Sequence, residues 1–166
     1  MKNIFLTLTG FQITWTFCVF GEYYNIPFAG VIAGSVYLCI FFYFISFKIR
    51  ALKICLIFSF IGYFFDSSLG YIQLFNIKSS MMFGYLPIWF LVLWPSFSTL
   101  FVKVLPFLKN SLLSSCFLGA IFAPPSYYLG IPLGIASSEN IILAMTTMAL
   151  FWGLFLMFYS IVIKKI

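Results

Sequence analysis

The sequence predicts an all-α, polytopic membrane protein: a compact bundle of six transmembrane helices with both termini on the cytoplasmic side. Three observations carry that reading. Of the 166 residues 7% are charged, 64% hydrophobic and 23% aromatic, whereas a soluble domain carries about 25% charged and about 45–50% apolar residues. Apolar runs of about 20 residues recur along the chain, the length a helix needs to cross the hydrocarbon layer. The basic residues gather in alternate breaks between those runs. So few charges cannot cover a water-facing surface, which excludes a soluble globular domain. The abundance of aromatic residues excludes disorder, because disordered chains are polar and poor in aromatics.

The expected spans, taken as one transmembrane domain over residues 1–166, are 4–20, 27–47, 54–75, 85–104, 112–135 and 141–163. They are separated by Gly21-Glu22, Lys48-Ile49-Arg50, Asn76-Ile77-Lys78-Ser79-Ser80, Lys109-Asn110-Ser111 and Ser137-Ser138-Glu139-Asn140. The break between the fourth and fifth spans also follows Lys103. With the N-terminus inside, Lys2, Lys48, Arg50, Lys53, Lys103, Lys109, Lys164 and Lys165 fall on the inner face, and only Lys78 falls outside with Glu22 and Glu139. Enrichment of Lys and Arg on the cytoplasmic side is the rule that sets orientation. It also accounts for the net charge of +6, so that charge is not read as a nucleic-acid surface.

The first span begins like a secretory signal, but no small-residue cleavage site follows its apolar stretch. Gln12, Thr14 and Thr16 suit a retained helix. The second span carries Gly30 and Gly34, four residues apart, a spacing that lets two helices approach closely. On the third, Ser59, Gly62, Asp66, Gly70 and Gln73 share a face. Asp66, near the middle of that span, is the one acid expected inside the membrane. A carboxylate there costs about 2.5–3.5 kcal/mol on insertion scales, so it is expected to face the bundle interior.

Counting about 1.5 Å per residue from the inner face, Gln12 and Trp15 come to depths of about 12–17 Å, Asp66 to about 18 Å and Trp94 to about 15 Å. Tyr127 falls at about 18–23 Å by the same rule. A Trp away from the interfacial belts needs a partner for its N–H. Gln12, Trp15, Asp66, Trp94 and Tyr127 are therefore the candidate midplane binding cluster. Helix packing alone accounts for part of such a list, since mid-helix residues of any bundle share a depth.

The fifth span holds Pro124-Pro125, which must kink or break it, because proline lacks the N–H and clashes with the preceding turn. Gly119, Gly130 and Gly134 flank the prolines at spacings suited to close helix packing. Broken helices at membrane depth bind substrates in transporters, and a kinked packing helix is the plainer alternative.

The four cysteines form no C-x-x-C pair, and the sequence has no His. No metal site and no cofactor are expected. With three carboxylates in all, two of them expected on outer loops, paired-acid chemistry within the membrane is not expected, and the reading leans away from an enzyme.

The unusual residues also form an ordered pattern. It runs Gly10-Phe11-Gln12, Trp15, Cys18-Val19 and Gly21, then Gly62, Asp66 and Gly70 at four-residue steps. Pro87-Ile88-Trp89, Leu93-Trp94, Phe97 and Thr99 follow, and finally Gly119-Ala120, Pro124, Tyr127, Gly130 and Gly134. In this the chain resembles the bacterial membrane family known as domain of unknown function 2878. It departs at Ala123, where the family pattern leads one to expect glycine, and in its second proline, Pro125.

The resemblance implies a small multi-pass inner-membrane protein of Gram-negative bacteria. It implies no established activity, although its expected genetic setting, beside fatty-acyl modification, points to lipid-related work. Three functions stand as expectations. The first is a non-enzymatic component of envelope or fatty-acyl lipid metabolism, binding a lipid, an amphipathic ligand or another membrane protein. The second is a small-solute or proton-coupled transporter using Asp66. The third is a membrane-embedded lipid-modifying enzyme.

Overall fold

A computed structural model describes residues 2–164, with side chains from residue 4 onward. Lys165, and the side chain of Lys2, counted above toward the inner face, lie outside what is described. In chain order the elements are α1 (Lys2–Tyr23), α2 (Phe28–Phe44), α3 (Lys48–Tyr71), β1 (Asn76–Ile77), β2 (Met82–Phe83), β3 (Leu86–Pro87), α4 (Phe90–Lys103), a 3-10 helix (Leu105–Asn110), α5 (Leu112–Phe122), α6 (Pro124–Tyr128), β4 (Ala136–Ser137) and α7 (Ile141–Val162).

The chain is mainly helical. Three helices are long and apolar enough to cross a membrane: Ile4–Tyr23 within α1, Lys48–Tyr71 and Ile141–Val162, with mean hydropathies of 1.5, 1.5 and 2.2. The apolar helices Phe28–Phe44 and Phe90–Lys103 are shorter. Large apolar side chains cover the outer faces; Phe60 on α3 is 73% exposed and Leu154 on α7 is 64% exposed. Soluble proteins rarely display apolar surface on this scale, and three spanning-length helices bearing it mark the chain as membrane-associated.

Three expected spans differ in extent from the helices observed. The third helix ends at Tyr71 instead of running to residue 75, so Asp66 sits five residues from its end and not near its middle. The fourth begins at Phe90 instead of Tyr85, because Met82–Phe83 and Leu86–Pro87 pair as an antiparallel hairpin. Gly84, the first of the two loop residues, has a φ of 65°, the conformation glycine supplies at that position of a type II′ hairpin. Pro87 also cannot donate to a continuing helix. The fifth span is broken: helical hydrogen bonding is interrupted at Ala123, and after Tyr128 the chain turns.

Both α1 and α3 stop in the same way. Ile26 N–H donates to Gly21 O (2.7 Å) and Asn25 N–H to Glu22 O (3.0 Å), with Asn25 left-handed at φ 60°. Leu74 N–H donates to Leu69 O (3.0 Å) and Gln73 N–H to Gly70 O (3.1 Å), with Gln73 at φ 56°. These are Schellman caps, which satisfy the last carbonyls of a helix. At the other kind of end, Ser111 Oγ accepts from Ser114 N–H (3.2 Å) to start α5. Asn140 Oδ1 accepts from Leu143 N–H (3.1 Å) to start α7. These N-caps satisfy first-turn donors.

Contacts divide the chain into two compact units, one of Met1–Ser68 and Lys78–Leu105, the other of Leu69–Ile77 and Pro106–Ile166. In the first unit α1, α2 and α4 pack against one another. Gly30 of α2 faces Cys18 of α1, and a Cβ there would stand 2.6 Å from its Sγ; one at Gly34 would stand 2.8 Å from Cγ2 of Val92 on α4. The third helix meets α4 through side chains, with Phe58 against Phe101 at 4.6 Å between ring centroids. In the second unit α5 packs along α7, and β1 pairs with β4.

Candidate functional site

Two buried carboxylates in the first unit are each held by an indole. Asp66 on α3 is 3% exposed, and its Oδ2 accepts from Nε1 of Trp94 at 2.8 Å. Glu22, in the last turn of α1, is 7% exposed, and its Oε2 accepts from Nε1 of Trp89 at 2.8 Å. Both donors come from the start of α4: Trp89 is its N-cap and Trp94 its fifth residue. Five residues of helix rotate a side chain through about 140° and advance it about 7.5 Å. The two carboxylates therefore flank α4 from different sides and do not form a catalytic acid pair.

Local sequence builds each pocket. Gly62, one turn before Asp66, leaves the space into which the Trp94 ring inserts; a Cβ there would overlap the ring. Trp94 then stands edge-on to Phe97 at 5.7 Å, and Phe97 meets Phe11 of α1 at 5.4 Å and Phe101 at 5.3 Å. These rings extend the contact from Trp94 toward the C-terminal end of α4. Trp89 stacks on Phe90 at 4.4 Å. An indole N–H donates one hydrogen bond and carries no charge, so it orients each carboxyl group without supplying a counter-ion.

Below the acids, α4 continues as a polar seam. Ser98 pairs with Ser59 of α3 (3.0 Å), and Thr99 Oγ1 pairs with the Tyr37 hydroxyl of α2 (2.5 Å) while donating to Ser96 O (2.7 Å). The hydroxyl of Ser96 is buried without a hydrogen-bond partner among the described residues.

The cluster expected from depth alone is distributed otherwise. Asp66 and Trp94 are joined. Gln12 is exposed on the outer face of α1, and Trp15 is half-buried on the same helix. Tyr127 lies in the second unit, where its hydroxyl accepts from Nε1 of Trp152 at 3.3 Å and its ring stands edge-on to Phe75 at 5.9 Å. Glu22 and Trp89 were not anticipated as site residues, because Gly21-Glu22 read as a loop and the partners are 67 residues apart. The available clue was Trp89, a second tryptophan one and a half turns before Trp94 that equally needs a partner for its N–H.

The glycines expected at helix contacts also differ in use. Gly119 of α5 lies directly against the backbone carbonyl of Trp152 on α7, while Gly70 is buried near the end of α3. Gly130 follows α6 in a turn against Ala136. Gly134 is not a packing residue: it has φ 75° with open space around its Cβ position, and it closes a turn in which Ile135 N–H donates to Gly130 O (3.0 Å). Pro124 is buried and Pro125 exposed at the break. The four cysteines stand as free thiols. Among the described residues no group of three or more His, Cys, Asp or Glu could hold a metal ion.

Neither a curated protein nor a solved structure matches the chain. One family model does, over residues 4–158. That match takes in α1 through most of α7 and includes both carboxylate–indole pairs, so the chain belongs to the family described as protein of unknown function (DUF2878).

Proposed function

We propose that this chain is a non-enzymatic binding component of the bacterial inner membrane, serving envelope or fatty-acyl lipid metabolism, with the Asp66–Trp94 pair at the centre of its site. The carrying observation is the buried Asp66 carboxylate oriented by a neutral indole N–H. A carboxyl group buried away from water is costly, and an apolar helix contact would serve packing without it. Its fitting ligand is amphipathic: a head that donates hydrogen bonds or carries positive charge, with apolar tails lying on the exposed aromatic and aliphatic surface.

The membrane reading extends to six crossings with both termini inside. In the first unit Lys48, Arg50 and Lys53 open α3 while Lys103 closes α4, with its Nζ 4.5 Å from the centroid of Phe47. In the second, Lys109 lies beside the end of α7, where Ser160 Oγ donates to Leu108 O (2.8 Å), and Lys164 follows that end. Apart from Lys78 in the first unit, the basic residues described in each unit gather at one end, as the positive-inside rule requires of a cytoplasmic face. The short helices α2 and α4 and the broken α5–α6 segment are the remaining crossings in this reading.

A second reading, a small-solute or proton-coupled transporter using Asp66, draws on the break itself. Pro124 and Pro125 withhold two N–H donors from the carbonyls of Ala120 and Ile121, and exposed carbonyls of this kind coordinate substrates in transporters with discontinuous helices. Mass spectrometry of the purified protein tests the binding reading. Lipid should co-purify with wild type and fall several-fold with Asp66→Asn, while Phe64→Leu on the outer face retains it. Equal lipid in all three would remove Asp66 from the site.

A further inference from the structure

The outer face of α1 carries a polar stripe that the carboxylate sites do not use. Thr9, Gln12 and Thr16 follow one another at helical spacing and line a shallow groove with Leu8, Ile13 and Phe17. Ile13 and Phe17 are about half exposed, at 48% and 50%, and Gln12 is exposed midway along the helix. The Thr16 hydroxyl is already spent on its own helix, donating to Gln12 O at 2.8 Å. The Gln12 side-chain amide makes no hydrogen bond to any described residue. An amide left unpaired at membrane depth is unfavourable, and in bilayers such groups bond across helices.

We propose that this face binds the same face of a second copy, forming a parallel dimer about a twofold axis along the membrane normal. The chemistry selects that occupant. The groove carries no charge, so it offers nothing to an ionic partner. A primary amide is both donor and acceptor, and is therefore complementary to itself. Copies inserted with the same orientation present Gln12 at the same depth, and a twofold contact is isologous, so Gln12 meets Gln12 without further design. A foreign helix would need a polar side chain of its own placed at that depth. Leu8 and Phe17, four residues before and five after Gln12 and both exposed, then close the contact on either side of the amide pair along the helix.

Energy transfer between donor- and acceptor-tagged full-length copies tests this in vesicles of phosphatidylethanolamine and phosphatidylglycerol over a range of protein-to-lipid ratios. Wild type should show transfer that rises with protein density and is competed by untagged protein. Gln12→Leu should weaken association by about tenfold, in the range of interhelical hydrogen bonds in membranes, and Gln12→Asn should recover part of it. Gln12 faces outward, so neither variant should alter unfolding of the single chain. Transfer unchanged in Gln12→Leu would overturn the proposal, as would a wild type that stays monomeric at every density. So would a complex with a different membrane protein that is lost in Gln12→Leu while the chain alone remains monomeric.

Discussion

In the first unit α4 reaches its neighbours with side chains: Trp89 to Glu22 on α1, Trp94 to Asp66 on α3, Ser98 to Ser59, and Thr99 to Tyr37 on α2. In the second, α5 and α7 meet backbone to backbone, with Gly119 against the Trp152 carbonyl and Gly153 facing Cys116. Lipid tails are as apolar as leucine, so burial alone does not drive helices together in a bilayer. Close packing and interhelical hydrogen bonds do; the contacts of α4 use side-chain hydrogen bonds, whereas α5 on α7, like α1 on α2 at Gly30, uses close packing. Packing of small residues tolerates almost no added volume but demands no polar chemistry. The indole–carboxylate pairs place two acids where their charge is expensive, which is a reason to look for function in the first unit.

The difference predicts an order of sensitivities. Gly119→Val should have the largest effect, because its added carbons would overlap a main-chain carbonyl that cannot swing aside. Overpacking of this kind costs up to about 3 kcal/mol or more. Unfolding in bicelles should show that loss, with amide exchange accelerated in α5 and α7; a variant as stable as wild type would mean that the two helices sit farther apart.

Trp94→Phe keeps a ring in the Gly62 slot but removes the N–H, and should cost about 2 kcal/mol. Much of that loss should vanish in an Asp66→Asn background, since residues sharing one hydrogen bond are coupled. Additive losses would show that the ring matters only as volume. Trp89→Phe should cost less, about 1 kcal/mol, because Glu22 lies in the last turn of its helix; the same unfolding assay ranks the two. Phe64→Leu, on a face with 67% of the residue exposed, should change stability by no more than about 0.5 kcal/mol. A larger change would mean that this face is covered.

Much of this fold is legible in the sequence, for identifiable reasons. Apolar length located α1, α2, α3 and α7, and the breaks at Ser111 and Asn140 became real caps. The same criterion overran the end of α3, and overran α4 and α5 further. Tyr85 to Ile88 are apolar enough to extend a helix, yet Gly84 and Pro87 make a hairpin there. Residues 126–135 are apolar enough to continue α5, yet Gly130 and Gly134 turn the chain. Hydropathy cannot register either, since backbone geometry and not composition decides them.

At the site, Asp66 stood out because an acid in an apolar run is rare. Its partner Trp94 stood out for its depth. Glu22 did not, since an acid after an apolar run reads as an interface residue. Gln12 was assigned inward by depth, but a helix apolar on all sides does not declare which face is buried, and the neighbours that decide it are distant in sequence.

The central claim is that the Asp66 carboxylate is kept for binding in lipid metabolism and not for packing. Comparative lipidomics of a strain lacking the protein, complemented with wild type, Asp66→Asn or Phe64→Leu at matched expression, tests it most directly. The account predicts an altered lipid profile in the deletion, restored by wild type and Phe64→Leu but not by Asp66→Asn. A profile untouched by the deletion, or fully restored by Asp66→Asn, would contradict it.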